Sequence, residues 1–183
     1  EERLHGKLET DDMQNMAMAY AVSKEKKREA ITEMITELCV SGVNAIVKNE
    51  ERLQQIRSLF DLDGITVFSD RGNRLVCRNG NYMAEAPDGR PGFEDEKYLA
   101  LFGEDGIFVE SNMLKLRSQN PAAFAVTQEQ EIGAALQCLS RKEGIPYTMV
   151  NFEVFNRNRK WSDEDVTLLT LLGHCIGDLL CRF

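Results

Sequence analysis

The chain of 183 residues has no excess of positive charge: 22 Lys and Arg stand against 30 Asp and Glu, a formal net charge of −8. Residues 1–50 hold 7 basic and 10 acidic side chains, and residues 51–183 hold 15 and 20, so neither part is a basic arm. A protein that tracks phosphates needs surplus cations to displace condensed counterions. Nucleic acid is therefore excluded as a partner. The apolar runs at residues 16–22 and 168–173 fall far short of the roughly 18–20 residues a membrane helix needs. No basic segment followed by an apolar stretch marks a secretory signal. The chain opens on Glu1-Glu2 and not on Met, from which a longer parent protein is expected.

The usual catalytic signatures are missing as well. Of the two histidines, His5 is near the start and His174 sits in an apolar helical pattern, with no G-x-S-x-G to accompany it. There is no phosphate-binding G-x-x-x-x-G-K-[ST] and no G-x-G-x-x-G after a strand. The five cysteines, Cys39, Cys77, Cys138, Cys175 and Cys181, form no C-x-x-C pair. They read as reduced core thiols of a cytoplasmic protein, and no ligands cluster as zinc requires. Asp61-Leu62-Asp63-Gly64 lacks the third acidic position and closing Glu of a calcium loop, and reads as a helix-to-strand turn. Glu94-Asp95-Glu96 and Glu104-Asp105 read as solvated loop. No catalytic residue, metal ligand or cofactor is assigned.

What is present is an ordinary globular composition, 43% hydrophobic and 28% charged. Residues 11–47 read as helix, with Met13, Met16, Ala17 and Tyr20 and then Ile31, Met34, Ile35, Leu38, Gly42, Val43 and Ile46 at helical spacing. Residues 23–29 carry no apolar side chain and are either a solvated helical turn or a break. A continuous helix there would span about 55 Å. Its stripe is covered either by a second copy, as in a coiled-coil dimer, or by its own domain. Asn49 caps a second helix over 50–60, with Leu53, Ile56, Leu59 and Phe60 inward.

Strands follow at 65–69, 74–78 and 82–85, the last two around Asn79-Gly80, a strong hairpin signal. Residues 86–106 read as loop with one helical turn at 97–102, then a strand at 107–111 and helical stretches at 112–117 and 121–130, with Pro121 at the first helical position. Long strands at 132–140 and 146–155 are joined by a four-residue turn, 141–144. In the second, Thr148, Val150, Phe152 and Val154 take one face and Tyr147, Met149 and Phe155 the other, as in a central strand covered on both sides. Ser162 opens a last helix with Asp165 three residues on, a capping box. This order predicts an α+β fold around one mainly antiparallel sheet.

Three stretches carry a family resemblance: residues 53–68; Gln128-Glu129-Gln130-Glu131-Ile132-Gly133-Ala134-Ala135-Leu136; and residues 144–155 continuing through Trp161-Ser162-Asp163-Glu164-Asp165. Residues 48–183 resemble a GAF domain, similar to those that precede cyclic-di-nucleotide synthase or phosphodiesterase domains in bacteria. The resemblance implies a GAF-like antiparallel central sheet flanked by helices, with residues 1–47 as a helical linker and dimerisation segment. It also implies a ligand pocket between the sheet and the short helices, in whose vicinity Leu116, Phe124, Cys138 and Phe152 would fall by position. The places of the family's cyclic-nucleotide pattern, Asn-Lys…Phe-x-x-x-Asp-Glu, hold Asn156, Arg157, Trp161, Asp165 and Val166, and three of the five differ. Their expected role is structural, with Asp165 partnered either by Arg157 or by Ser162. No Cys-His pair marks bilin attachment.

The expected function is that of a non-catalytic sensory module in a cytoplasmic signalling protein. It would form a homodimer through its terminal helices, take a small-molecule ligand and control an attached output domain. Two alternatives remain open on the same fold: a thiol-dependent enzyme reducing free methionine sulfoxide, with Cys77 and Cys138 in strands that could neighbour each other, and a ligand-free dimerisation scaffold. A PAS domain is the second choice of fold.

Overall fold

A computed structural model of the chain describes residues 2–42, 50–69, 75–78, 81–83 and 95–182. The lead helix, α1 (Glu2–Ser41), is continuous. The polar stretch at 23–29 does not break it, because Lys, Glu and Arg are good helix formers and need no burial to stay helical. The helix starts earlier and ends earlier than expected: Gly42, at φ +65°, donates its N–H to Leu38 O at 2.8 Å and closes the last turn. The expected inward residues Val43 and Ile46, and the Asn49 cap, lie outside the described residues.

After α1 come α2 (Glu50–Leu59), β1 (Gly64–Ser69), β2 (Leu75–Arg78), β3 (Asn81–Met83) and α3 (Glu96–Leu99). Then follow β4 (Ile107–Glu110), a 3₁₀ turn (Met113–Lys115), α4 (Leu116–Gln119), α5 (Pro121–Glu129), β5 (Ile132–Lys142), β6 (Ile145–Phe155) and α6 (Asp163–Arg182). The Asn79-Gly80 signal lies outside the described residues, though Arg78 and Asn81 pair across it. One antiparallel six-stranded sheet has the order β3-β2-β1-β6-β5-β4. The fold class is thus α+β, as expected.

The turn between β5 and β6 is shorter than expected. The strands run on to Lys142 and Ile145, which pair, and only Glu143 (φ +54°) and Gly144 (φ +83°) remain between them. Two successive residues with positive φ give a turn whose twist matches that of the strands, so the ladder closes without splaying. The register slips between Ser140 and Arg141, so that Thr148 and Pro146 take consecutive partners. This irregularity places Tyr147 with the core that holds Val150 and Phe152, not with Met149 and Phe155 as simple alternation predicts.

Both faces of the sheet are covered over β1, β6 and β5. On one, Ile65, Val67, Leu136, Cys138, Val150 and Phe152 pack with Leu53, Ile56 and Phe60 of the α2 region and with Leu169, Leu172 and Ile176 of α6. The second half of α1, through Ala30, Ile31, Met34 and Leu38, belongs to this same core. On the other face lie Phe68, Ala135, Leu139 and Met149 under Tyr98, Phe102, Met113, Leu116 and Ala123. Residues 12–23 of α1 are uncovered, and Met13, Met16, Met18, Tyr20 and Val22 are all exposed.

Close approach of α6 to the sheet depends on glycine. A Cβ at Gly173 would stand 2.6 Å from Cys138 Sγ and 2.9 Å from its Cβ, with Phe152 behind at 3.4 Å. Gly173→Ala gains about 1 kcal/mol of helix propensity, yet overpacking costs about 1–3 kcal/mol. The variant is expected to unfold at lower denaturant concentration than the parent. Adding Cys138→Ala should recover part of the loss, as urea titration of both proteins would show.

Candidate functional site

The pleat sorts the sheet residues into rows on the face under the short helices. Phe108, Gln137, Asn151 and Thr66 are successive cross-strand partners, Ala135, Glu153 and Gly64 form the row on one side, and Leu139, Met149 and Phe68 the row on the other. Direct partners share a face, so the middle of an otherwise apolar face carries four polar side chains. Thr66 and Glu153 are 1% exposed, and Gln137 and Asn151 are 3% exposed.

Thr66 Oγ1 donates to Glu153 Oε2 at 3.0 Å. From above, Tyr98 of α3 donates its hydroxyl to Gln137 Oε1 at 2.5 Å and stands 3.9 Å from Met149 Sδ. Burial pushes the Tyr98 hydroxyl well above its ordinary range, against the lowering pull of its bond to Gln137, so it stays a donor throughout the physiological range. Asn151 Oδ1 is buried with no hydrogen-bond partner among the described residues, a cost of about 1–3 kcal/mol. Beside these groups is a space of about 20 Å³, bounded also by Phe68, Ala123, Val126 and Ile132. It suffices for about one water molecule. A larger hollow of about 380 Å³ opens at the end of the sheet. The cation that lines it, Arg157, is engaged by Asp61 at 3.1 Å and Asp63 at 3.5 Å.

The four expected pocket residues do not come together. Leu116 and Phe124 are on the short-helix face, whereas Cys138 and Phe152 belong to the opposite core, under α6. Each of these two is one residue along its strand from a member of the polar row, and one residue is a change of face. Thr66, Tyr98, Gln137, Asn151 and Glu153 are not marked by any motif in the sequence. Asn151 and Glu153, two apart inside an apolar strand, are the available signal.

The thiol-enzyme alternative, in which the strands of Cys77 and Cys138 could be neighbours, is corrected as well. β1 and β6 lie between β2 and β5, and three strand spacings amount to about 14 Å, twice the reach of a disulfide. Nor are the cysteines uniformly core residues: Cys138 is buried, Cys175 and Cys181 are half-buried and Cys39 is exposed. Burial pushes the Cys138 thiol up to about 12. Among the described cysteines, Cys39 should therefore be alkylated first by iodoacetamide at pH 8 and Cys138 not at all until unfolding. Mass mapping of the labelled peptides checks this.

No protein-family model and no curated protein matches the chain. Solved structures do. The chromophore-binding domain of a Stigmatella aurantiaca bacteriophytochrome is 14% identical, with a TM-score of 0.61 over 86% of this chain and 60% of that one. The GAF domain region of a Geobacter sulfurreducens protein is 12% identical, with a TM-score of 0.51 over 80% and 99%. The free methionine-R-sulfoxide reductase of Neisseria meningitidis, solved with its substrate, is 9% identical, with a TM-score of 0.55 over 86% and 89%. The fold is that of a GAF domain. This chain spans 60% of the length of the bacteriophytochrome domain it matches.

In this GAF fold the exit from β6 is tied to the helices by charge. Arg157 bonds Asp61 and Asp63 and does not take Asp165, which corrects the first of the two alternatives. Ser162 Oγ accepts the Asp165 N–H at 3.1 Å, the cap expected in the second. The Asp165 carboxylate binds two cations that sequence reasoning missed, Arg159 at 2.9 Å and Lys27 of α1 at 2.6 Å. Arg159 also donates to the carbonyls of Phe60 and Asp61 and stacks on Trp161 at 4.2 Å. Trp161 in turn donates to Glu110 O at 3.3 Å. Lys24 and Arg28 each reach Glu164 at 2.9 Å. The polar stretch of α1 is thus its clamp onto the first turn of α6.

Asp165 is 6% exposed, and breaking a buried charge cluster from one side costs about 3–5 kcal/mol. Asp165→Asn should lose an amount of that order. Glu164→Gln, whose partners are more exposed, should lose no more than about 1 kcal/mol. Equal losses in a denaturation comparison would contradict the assignment of Asp165 as the junction.

Proposed function

We propose that the chain is a non-catalytic sensory domain of a cytoplasmic signal-transduction protein, one that binds a small molecule and pairs with a second copy to control an attached output domain such as a cyclic-di-nucleotide synthase. The observation that carries this reading is the buried polar cluster of Thr66, Tyr98, Gln137, Asn151 and Glu153 in the middle of an apolar face. A protein that needed only a core would place apolar side chains there. The fold neighbours support the reading: the Stigmatella aurantiaca domain is one that binds a chromophore, and the Neisseria meningitidis reductase was solved with its substrate. No helix among the described residues is long and apolar enough to cross a membrane.

The proposed second copy would lie along the lead helix. At 100° per residue, Met13, Met16 and Tyr20 lie on the same side of α1 as Ile31, Met34 and Leu38, which the domain buries. The stripe therefore continues past the edge of its own domain, where a paired helix would cover it. The scaffold reading is favoured by one fact, the smallness of the 20 Å³ space. The thiol-enzyme reading is disfavoured by the separation of β2 from β5 and by the buried, poorly ionised Cys138.

Two measurements test the proposal. Light scattering should give a dimer, and Met16→Glu with Tyr20→Glu should give a folded monomer. A strict monomer in the parent protein overturns the pairing. In a thermal-shift screen of cellular small molecules, at least one should raise the midpoint, and Asn151→Leu should abolish that rise. A screen without a hit leaves the scaffold as the better account.

A further inference from the structure

The 20 Å³ space is too small for any ligand larger than water, so binding at the cluster requires a side chain to leave. Tyr98 is the one that is placed to do so. It is the only buried residue of α3, a helix of four residues. Its ring meets Phe102 edge-on at 5.7 Å, and its hydroxyl reaches the Gln137 amide. The cap of α3 is local: Asp95 Oδ1 accepts from Lys97 N at 2.9 Å and Tyr98 N at 3.2 Å, so α3 can keep its form when it lifts.

Building on the sensory reading of this cluster, we infer that Tyr98 fills the ligand's place, and that the ligand which displaces it is a flat ring carrying N–H or O–H donors, neutral or cationic and not anionic. The walls left by Tyr98 are mostly apolar, from Phe68, Ala123, Val126 and Ile132, with Thr127 and Gln130 as their uncharged polar members, and suit a ring. The floor presents oxygen acceptors: Gln137 Oε1, Asn151 Oδ1 and the Glu153 carboxylate. The described lining residues include no Lys, Arg or His. An anion would enter beside the Glu153 carboxyl group with no cation among the described lining residues to receive it, at a steep desolvation cost.

A ring with one donor only exchanges Tyr98's contacts for its own. Net affinity comes from a further donor that reaches Asn151 Oδ1, which the Tyr98 hydroxyl does not bond. A tyrosine already in place lowers the apparent affinity by the fraction of time the site is open. The parent protein should therefore bind such rings more weakly than a variant lacking Tyr98.

Tyr98→Ala, with phenol, benzamidine, benzene and benzoate as probes at millimolar concentration, tests this by thermal shift. Phenol and benzamidine are expected to raise the midpoint by a few degrees, benzene less and benzoate not at all. Each shift should be larger in the variant than in the parent. If Tyr98→Ala does not fold, Tyr98→Leu retains more packing and reads the same order of probes. Benzoate binding as well as phenol, or a folded variant that no probe shifts, overturns the inference. If the probes order as expected but no cellular molecule shifts the parent protein, the chemistry of the place stands and the sensory reading falls. If a cellular ligand binds while the probes fail, the sensory reading stands and the displaced-ring chemistry falls.

Discussion

A strand buried on both sides must satisfy every polar group it carries from within the protein, and β6 is such a strand. Residues Tyr147–Val154 are buried throughout, with α6, α1 and α2 on one face and the short helices on the other. Bulk water reaches neither face. The elements around it supply partners: Thr66 of β1 donates to the Glu153 carboxyl group, and Tyr98 donates to Gln137 of β5, the cross-strand neighbour of Asn151. The layout of the short-helix side follows from that requirement, because α3 must bring a donor to the sheet.

The same strand connects the cluster to the helices. Asp63 donates its N–H to Glu153 O at 2.9 Å and accepts the Phe155 N–H at 2.8 Å on its carboxylate. Arg157 binds Asp63, Arg159 reaches the carbonyls of Phe60 and Asp61, and Asp165 joins Arg159 to Lys27 on α1. From the polar cluster to the lead helix the contacts are contiguous and mostly charged. Glycine keeps the layers close: a Cβ at Gly133 would stand 2.3 Å from Arg157 O, so only glycine lets the exit of β6 cross β5 at this distance.

Local patterns were legible where a single element decided them. The helix stripes, the Asp61–Gly64 turn, the Pro121 start of α5 and the Ser162 cap all depend on neighbours within a few residues, and chain geometry relates those directly. Legibility ended where partners came from elsewhere. Asp165 had two candidate partners nearby in sequence, yet half of its charge balance comes from Lys27, 138 residues away. The polar stretch at 23–29 gave no sign of being a clamp, because its acidic counterpart is at the other end of the chain. Strict alternation puts Tyr147 on the wrong face because one register irregularity undoes the pattern beyond it.

By itself the sequence determined the class of fold, the two covered faces of the central strand and the absence of a basic surface, since composition and periodicity reside in the chain. Only the tertiary structure decided which face each strand residue takes in common with another strand. Strand order and register place Cys77 far from Cys138, turn Cys138 and Phe152 away from Leu116 and Phe124, and bring Thr66, Gln137, Asn151 and Glu153 into one buried group. That group has no motif in sequence because its members are adjacent only through hydrogen bonds between strands, and those form when the chain folds.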